Sequence, residues 1–167
     1  MALIIEDGTG KDDAESYATA AELVIYAEKF GRTIPATEEQ QEALLRRAAQ
    51  AMNGMKWKGR KASSNQALAF PRSGVQVDGE FKPDTLIPRQ IQYGQMALAV
   101  EIHADDIDPP ALRTGAVIKE RVEGAVEVQY AELSNSSGYR MPAAPDRPSA
   151  TQFADYLARR GLFAVRA

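Results

Sequence analysis

The sequence predicts a mainly α-helical protein: a small helical bundle with a long ordered loop, one β-hairpin and a tethered C-terminal helix. Three observations predict it. Apolar residues recur at helical spacing behind threonine caps in two N-terminal stretches, the period drops from about four to two after a double proline, and a proline-rich stretch sets apart a last amphipathic segment. At 167 residues with 44% hydrophobic content, the chain can bury one core but hardly two. The implied organisation is an N-terminal arm at 1–15, a helical core with its loop at 16–110, a hairpin at 111–133, a linker at 134–148, and a C-terminal docking helix and tail at 149–167.

The arm is acidic, with Glu6, Asp7, Asp12, Asp13 and Glu15 against the single Lys11. Ala2 to Ile5 read as a short strand and Gly8 to Gly10 as a turn. The first helix, 19–30, opens on the capping box Thr19-Ala-Ala-Glu22, in which each end residue satisfies a free backbone N–H near the other. Tyr17 is placed to staple onto Leu23. Leu23, Tyr26, Ala27 and Phe30 follow at helical spacing, and Gly31 is the stop.

The second helix, 37–55, opens on a similar box, Thr37-Glu-Glu-Gln40, and carries the stripe Leu44, Leu45, Ala48, Ala49, Met52 and Met55. From Lys56 to Leu86 no period holds. A structureless stretch of about thirty residues inside a small domain is usually functional, and Trp57, Leu68, Phe70, Pro71 and Arg72 are its expected anchors. The third helix, 88–104, starts at Ile87-Pro88, with proline in the first turn where its missing N–H costs nothing.

Beyond Pro109-Pro110, Val117, Lys119 and Arg121 alternate with Ile118 and Val122, and Val126, Val128 and Tyr130 alternate with Glu127 and Gln129. This predicts a β-hairpin turning at Glu123-Gly124. A lone hairpin is marginal in water, so these six residues (Val117, Lys119, Arg121, Val126, Val128 and Tyr130) are candidate contacts to another surface. After a linker with polyproline character, a helix from Ser149 or Thr151 carries Phe153, Tyr156 and Leu157, with Leu162 and Phe163 beyond Gly161. So short a helix is unstable alone. It needs a surface: the chain's own core or another subunit, and the linker's length favours the second.

No residue set points to catalysis. There is no cysteine, which excludes disulfides, thiolate metal sites and cysteine nucleophiles and fits a reducing cytoplasm. The single histidine, His103, has no nucleophile beside it and reads as a cation near a helix C-terminus. Gly8-Thr-Gly10-Lys11 resembles a phosphate loop at a glance, but the Walker spacing is absent and Asp12-Asp13 follow. Asp105, Asp106 and Asp108 lack an EF-hand register and read as a helix stop. No metal or cofactor is expected. The start, Met1-Ala-Leu-Ile-Ile-Glu-Asp, is too short and acidic for a signal peptide, and no apolar run could cross a bilayer, so a cytoplasmic product with no membrane partner is expected.

The remaining chemistry is basic. Lys56, Lys58, Arg60, Lys61 and Arg72 come without an intervening acid, with Trp57 and Phe70 among them. Cations and aromatics together track a phosphate backbone and stack bases. The competing reading makes Trp57 and Phe70 buried anchors and turns the cations toward an acidic partner; the net charge of −3 favours it. Lys56, Lys58, Arg60 and Lys61 are the candidate DNA-facing residues.

In order along the chain stand Ser16-Tyr17, an alanine-rich helix leading into Trp57-Lys-Gly59, Gln66-Ala-Leu-Ala-Phe70-Pro71-Arg72-Ser-Gly74-Val, Asp78-Gly79, Ile87-Pro88, and Gly124-Ala-Val-Glu-Val-Gln-Tyr130. This order, over roughly residues 16 to 130, resembles the tailed-phage head–tail adaptor (connector or head-completion) proteins, including the branch labelled DnaT-like single-stranded-DNA-binding. The resemblance implies a structural virion protein made in the host cytoplasm, a homo-oligomeric ring of about twelve copies at the head–tail junction. Its partners would be the portal and a neck or tail-terminator protein, with DNA passing through the channel without sequence-specific binding. Phe153, Tyr156, Leu157, Leu162 and Phe163 are then candidate portal contacts, and the six hairpin residues from Val117 to Tyr130 candidate contacts to a neighbouring subunit or neck protein. The DnaT-like label implies the alternative, a single-stranded-DNA-binding accessory protein.

Overall fold

The computed structural model describes residues 3–105, 117–122, 126–130 and 147–158. Among them are four helices and three two-stranded antiparallel ladders. The chain divides into two units, one formed by 1–110 with 148–167 and the other by 111–147.

In the first unit, α1 (Ala20–Lys29) has the predicted capping box: Thr19 accepts from the Glu22 N–H, and the Glu22 carboxylate accepts from the Thr19 N–H. Its end is a Schellman closure. Arg32 N–H donates to Ala27 O and Gly31 N–H to Glu28 O, which requires the left-handed φ of +59° at Gly31. The α2 helix (Glu38–Asn53) begins after Thr37 without a side-chain cap bond, so the second box does not form. Gln41 instead donates from Nε2 to Pro35 O and secures the entry. Leu45, Ala48 and Met52 on α2 are fully buried.

The α3 helix (Arg89–Asp105) starts one residue after Pro88, whose carbonyl accepts the Ile91 N–H. It packs against both α2 and α4 (Pro148–Phe153). Gln95 stands at its centre with no exposed surface. It accepts the Tyr17 N–H and donates to Ser16 Oγ and to Leu45 O, joining the N-terminal arm, α2 and α3 through one side chain. A buried amide is stable only when its bonding capacity is used, and here three bonds use it.

The last described stretch corrects the picture of a detached C-terminal helix. Phe153 and Tyr156 are 1% and 3% exposed within the first unit's core. Gly94 makes this possible: a Cβ there would stand 2.1 Å from the Phe153 ring. Glu101 caps α4, accepting from Ser149 N–H at 2.9 Å and Ser149 Oγ at 2.8 Å. Residues 156–158 then pair antiparallel with 56–58, through Lys58 N–H to Tyr156 O and Ala158 N–H to Lys56 O. Of the two surfaces left open for this segment, the chain's own core is the one used. Burying two large aromatics contributes more than a free surface helix could, about 2 kcal/mol each.

In the second unit, β5 (Val117–Val122) pairs with β6 (Val126–Tyr130). Val122 faces Val126 and Arg121 faces Glu127, but the register slips between Val117 and Lys119, so the strict alternation expected from 117 to 121 is broken there. The expected turn at Glu123-Gly124, the linker from 134, and Leu162 and Phe163 lie outside the described residues. None of the described helices is long and apolar enough to cross a membrane.

Candidate nucleic-acid face and the loop that frames it

The aperiodic segment 56–86 is ordered by short ladders. The β1 strand (Arg60–Lys61) pairs with β2 (Arg72–Ser73), and β3 (Gln76–Val77) pairs with β4 (Glu80–Phe81). Asp78 and Gly79 join β3 to β4 with φ of +54° and +82°, the two left-handed residues of a tight hairpin turn. Gly59, at φ +66°, lies so close to Ser73 O that a Cβ would meet it at 2.2 Å, which is how the two arms of the loop close.

The aromatic anchors face inward. Trp57 is 6% and Phe70 1% exposed, and their rings meet edge to face at 5.2 Å. Trp57 also meets Phe153 at 5.2 Å, and Phe70 meets Tyr156 at 6.1 Å. Trp57 Nε1 donates to Met52 O, and the Phe70 N–H donates to the Tyr17 hydroxyl, whose pKa burial pushes up. Leu68 and Pro71 are buried beside them, and the Phe70–Pro71 peptide is cis. Gln66, 3% exposed, accepts the Ser63 N–H and donates to Leu68 O and Pro71 O, tying the loop to itself. Neither Trp57 nor Phe70 therefore offers a face for a base.

Arg72 is equally committed. Its Nε donates to Lys58 O at 2.7 Å, one terminal nitrogen to Gly59 O at 2.8 Å and the other to Ala69 O at 3.1 Å. Partial burial lowers its pKa from the usual guanidinium value. The guanidinium is a clamp across the loop, each of its three nitrogens donating to the main chain. The remaining cations are presented outward. Lys56, Arg60 and Lys61 are exposed and Lys58 is half-buried. Lys58 Nζ reaches Gln76 O at 3.3 Å and Lys61 Nζ reaches Gln66 O at 3.1 Å, each with donors left over. No acid occurs in sequence from 43 to 77. The structure also places the exposed Phe81 and the partly buried Lys82 at the rim of this face. Sequence reasoning passed over both, although the Asp-Gly turn between Val77 and Phe81 signalled a hairpin there.

The glycine turn of the arm has a different occupant than phosphate. Glu6, 2% exposed, accepts the N–H groups of Gly8 and Gly10 at 2.9 Å and of Lys11 at 2.8 Å. The chain's own carboxylate fills the nest that such turns offer to anions. Outside it, Asp7 accepts from Thr9 and pairs with Lys11 at 3.0 Å; the Thr9 hydroxyl first, then Lys11, hold its pKa down to about 2.

An open groove of about 490 Å³ runs between α1 and the start of α3, past Ile25, Tyr26, Leu86, Arg89 and Tyr93. Arg89 covers the Tyr93 ring at 4.8 Å and donates to its hydroxyl, so that aromatic face is already taken.

A family model described as "Putative DnaT-like ssDNA binding protein" matches residues 1–166. No curated protein and no solved structure matches the chain.

Proposed function

The chain belongs to this DnaT-like family, and from that premise we propose that it binds single-stranded DNA, without catalysis, across the face formed by residues 56–61 and 72–82. The observation that supports this reading is the set of four outward cations, Lys56, Lys58, Arg60 and Lys61, on a frame that its own buried residues hold rigid. The net charge of −3 does not oppose it, because this face carries six cations, Lys56, Lys58, Arg60, Lys61, Arg72 and Lys82, against two acids, Asp78 and Glu80, and its local field is positive. Affinity here would be electrostatic and indifferent to sequence. Four cations on four phosphates give a slope of log affinity against log salt of about −3. A gel shift over a salt series measures it. No shift at low salt overturns the reading.

A second reading is favoured by the separate unit 111–147, whose β5–β6 ladder has no third strand among the described residues. Two strands alone are marginal. A neighbouring copy would complete them in a head–tail adaptor ring between portal and neck or tail proteins, the cations then lining a channel for passing DNA. In that setting Phe153 and Tyr156 belong to the core, and a portal contact would fall on the chain beyond Ala158. Deleting 111–147 should leave a folded core that no longer forms a ring. Rings of the same size from the deleted protein would sink this reading, as would absence of the protein from purified virions.

A further inference from the structure

We propose that Phe81 is the base-stacking residue of the single-stranded-DNA face, an assignment that rests on the DNA-binding reading above. Phe81 is 74% exposed, more than any other large apolar side chain among the described residues. Singly exposed apolar residues are ordinary, and three features set this one apart. It is held on the β3–β4 ladder, whose turn is fixed by two left-handed residues and by the Gln76 Nε2 bond to Gly79 O at 2.9 Å. It stands opposite Gln76, whose carbonyl accepts from Lys58 Nζ, so one of the outward cations ends within a residue of the ring. It is followed by Lys82, whose N–H donates to Val75 O and whose Nζ sits 3.5 Å from Glu80.

The pairing partner of Lys82 matters. Glu80 lies beside Phe81 in sequence, and in a ladder its side chain projects to the other side from the ring. The ring is therefore left to solvent on one side of the ladder, while on the other Glu80 is partly neutralised by Lys82. All other aromatics of the loop are turned into the core, so a base arriving on these cations has one π-face to meet. Base–aromatic stacking tolerates any sequence because every base has a π-face, and the side chain that supplies it need not be charged.

The test uses the full chain and a fluorescein-labelled oligothymidylate. Phe81→Ala should weaken binding roughly 5- to 150-fold with the salt slope unchanged, whereas Lys56→Ser with Arg60→Ser should lower that slope by about 1.4. Phe81→Trp should keep the affinity, and its added indole emission should be quenched at saturation; the wild type, whose Trp57 is buried, serves as the blank. Equal affinity of wild type and Phe81→Ala overturns the assignment while leaving the DNA-binding reading intact, and so does unquenched emission from bound Phe81→Trp. No binding by the wild type overturns both. Because Phe81 packs against nothing in the core, a folding failure does not enter.

Discussion

The two ordered loops of the first unit, residues 6–11 and 56–82, treat charge in opposite senses. In the first, backbone N–H groups close around a carboxylate; in the second, backbone carbonyls close around a guanidinium. Both shapes resemble ligand sites in sequence, and in both the chain supplies its own ligand. They differ in what is left over. Glu6 exhausts its nest and is sealed at 2% exposure. Arg72 occupies only the inner side of its loop, and four further cations remain outside. Whether a loop can serve a partner is decided by the groups that remain after its own residues are satisfied.

That contrast can be broken by substitution. Glu6→Ala leaves one buried and two half-buried N–H groups without an acceptor, and urea unfolding should show a loss of roughly 3 kcal/mol; a loss below 1 kcal/mol would mean the nest rehydrates and is not sealed. Arg72→Ala should cost less, about 2 kcal/mol, because two of the three carbonyls it serves, those of Lys58 and Gly59, lie near the surface and regain water. If the two costs come out in the reverse order, the distinction between a sealed and a half-open loop fails.

Asp7 probes the outer rim of the nest through pH. Its folded pKa, about 2, lies below the ordinary 3.8. The stability it contributes is therefore complete above about pH 4 and is lost as pH falls toward 2. Asp7→Asn should therefore be slightly less stable than the wild type at neutral pH, with the two acid-unfolding curves converging as pH falls toward 2; an unchanged curve would show that the Thr9 and Lys11 contacts do not hold in solution. The smallest expected effect belongs to the outer cations. Lys56→Ser and Arg60→Ser should each change stability by less than about 0.5 kcal/mol while weakening DNA binding, which separates their role from that of Arg72.

The elements that a local period encodes were legible. Thr19 and Glu22, Leu45 with Ala48 and Met52, and the alternation around Val126 each specify a local arrangement that neighbours in sequence can satisfy. Thr37 shows the limit of such signals: the same box pattern stands before α2, yet the cap bond is absent and Gln41 secures that end instead. The site was less legible because its geometry comes from distant partners. The inward turn of Trp57 depends on Met52 and Phe153, that of Phe70 on Tyr17 and Tyr156, and the docking of Phe153 on the missing side chain at Gly94. A glycine inside an apolar helix was the one local hint that something large crosses there. Glu6 gave none, since an acid beside a glycine turn reads as solvated until the nest is seen around it.

The pairing of 156–158 with 56–58 also sets an order of events during synthesis. Trp57 and Phe70 leave the ribosome long before Phe153 and Tyr156, so the growing chain carries an open aromatic flank until the residues after Arg147 arrive. Everything between α3 and α4 is then an excursion whose two ends are held by the finished core. Closing such an excursion costs only about 0.6 kcal/mol more for each doubling of its length. The stretch 106–147 can thus be lengthened, shortened or exchanged at little cost to the closing of the core.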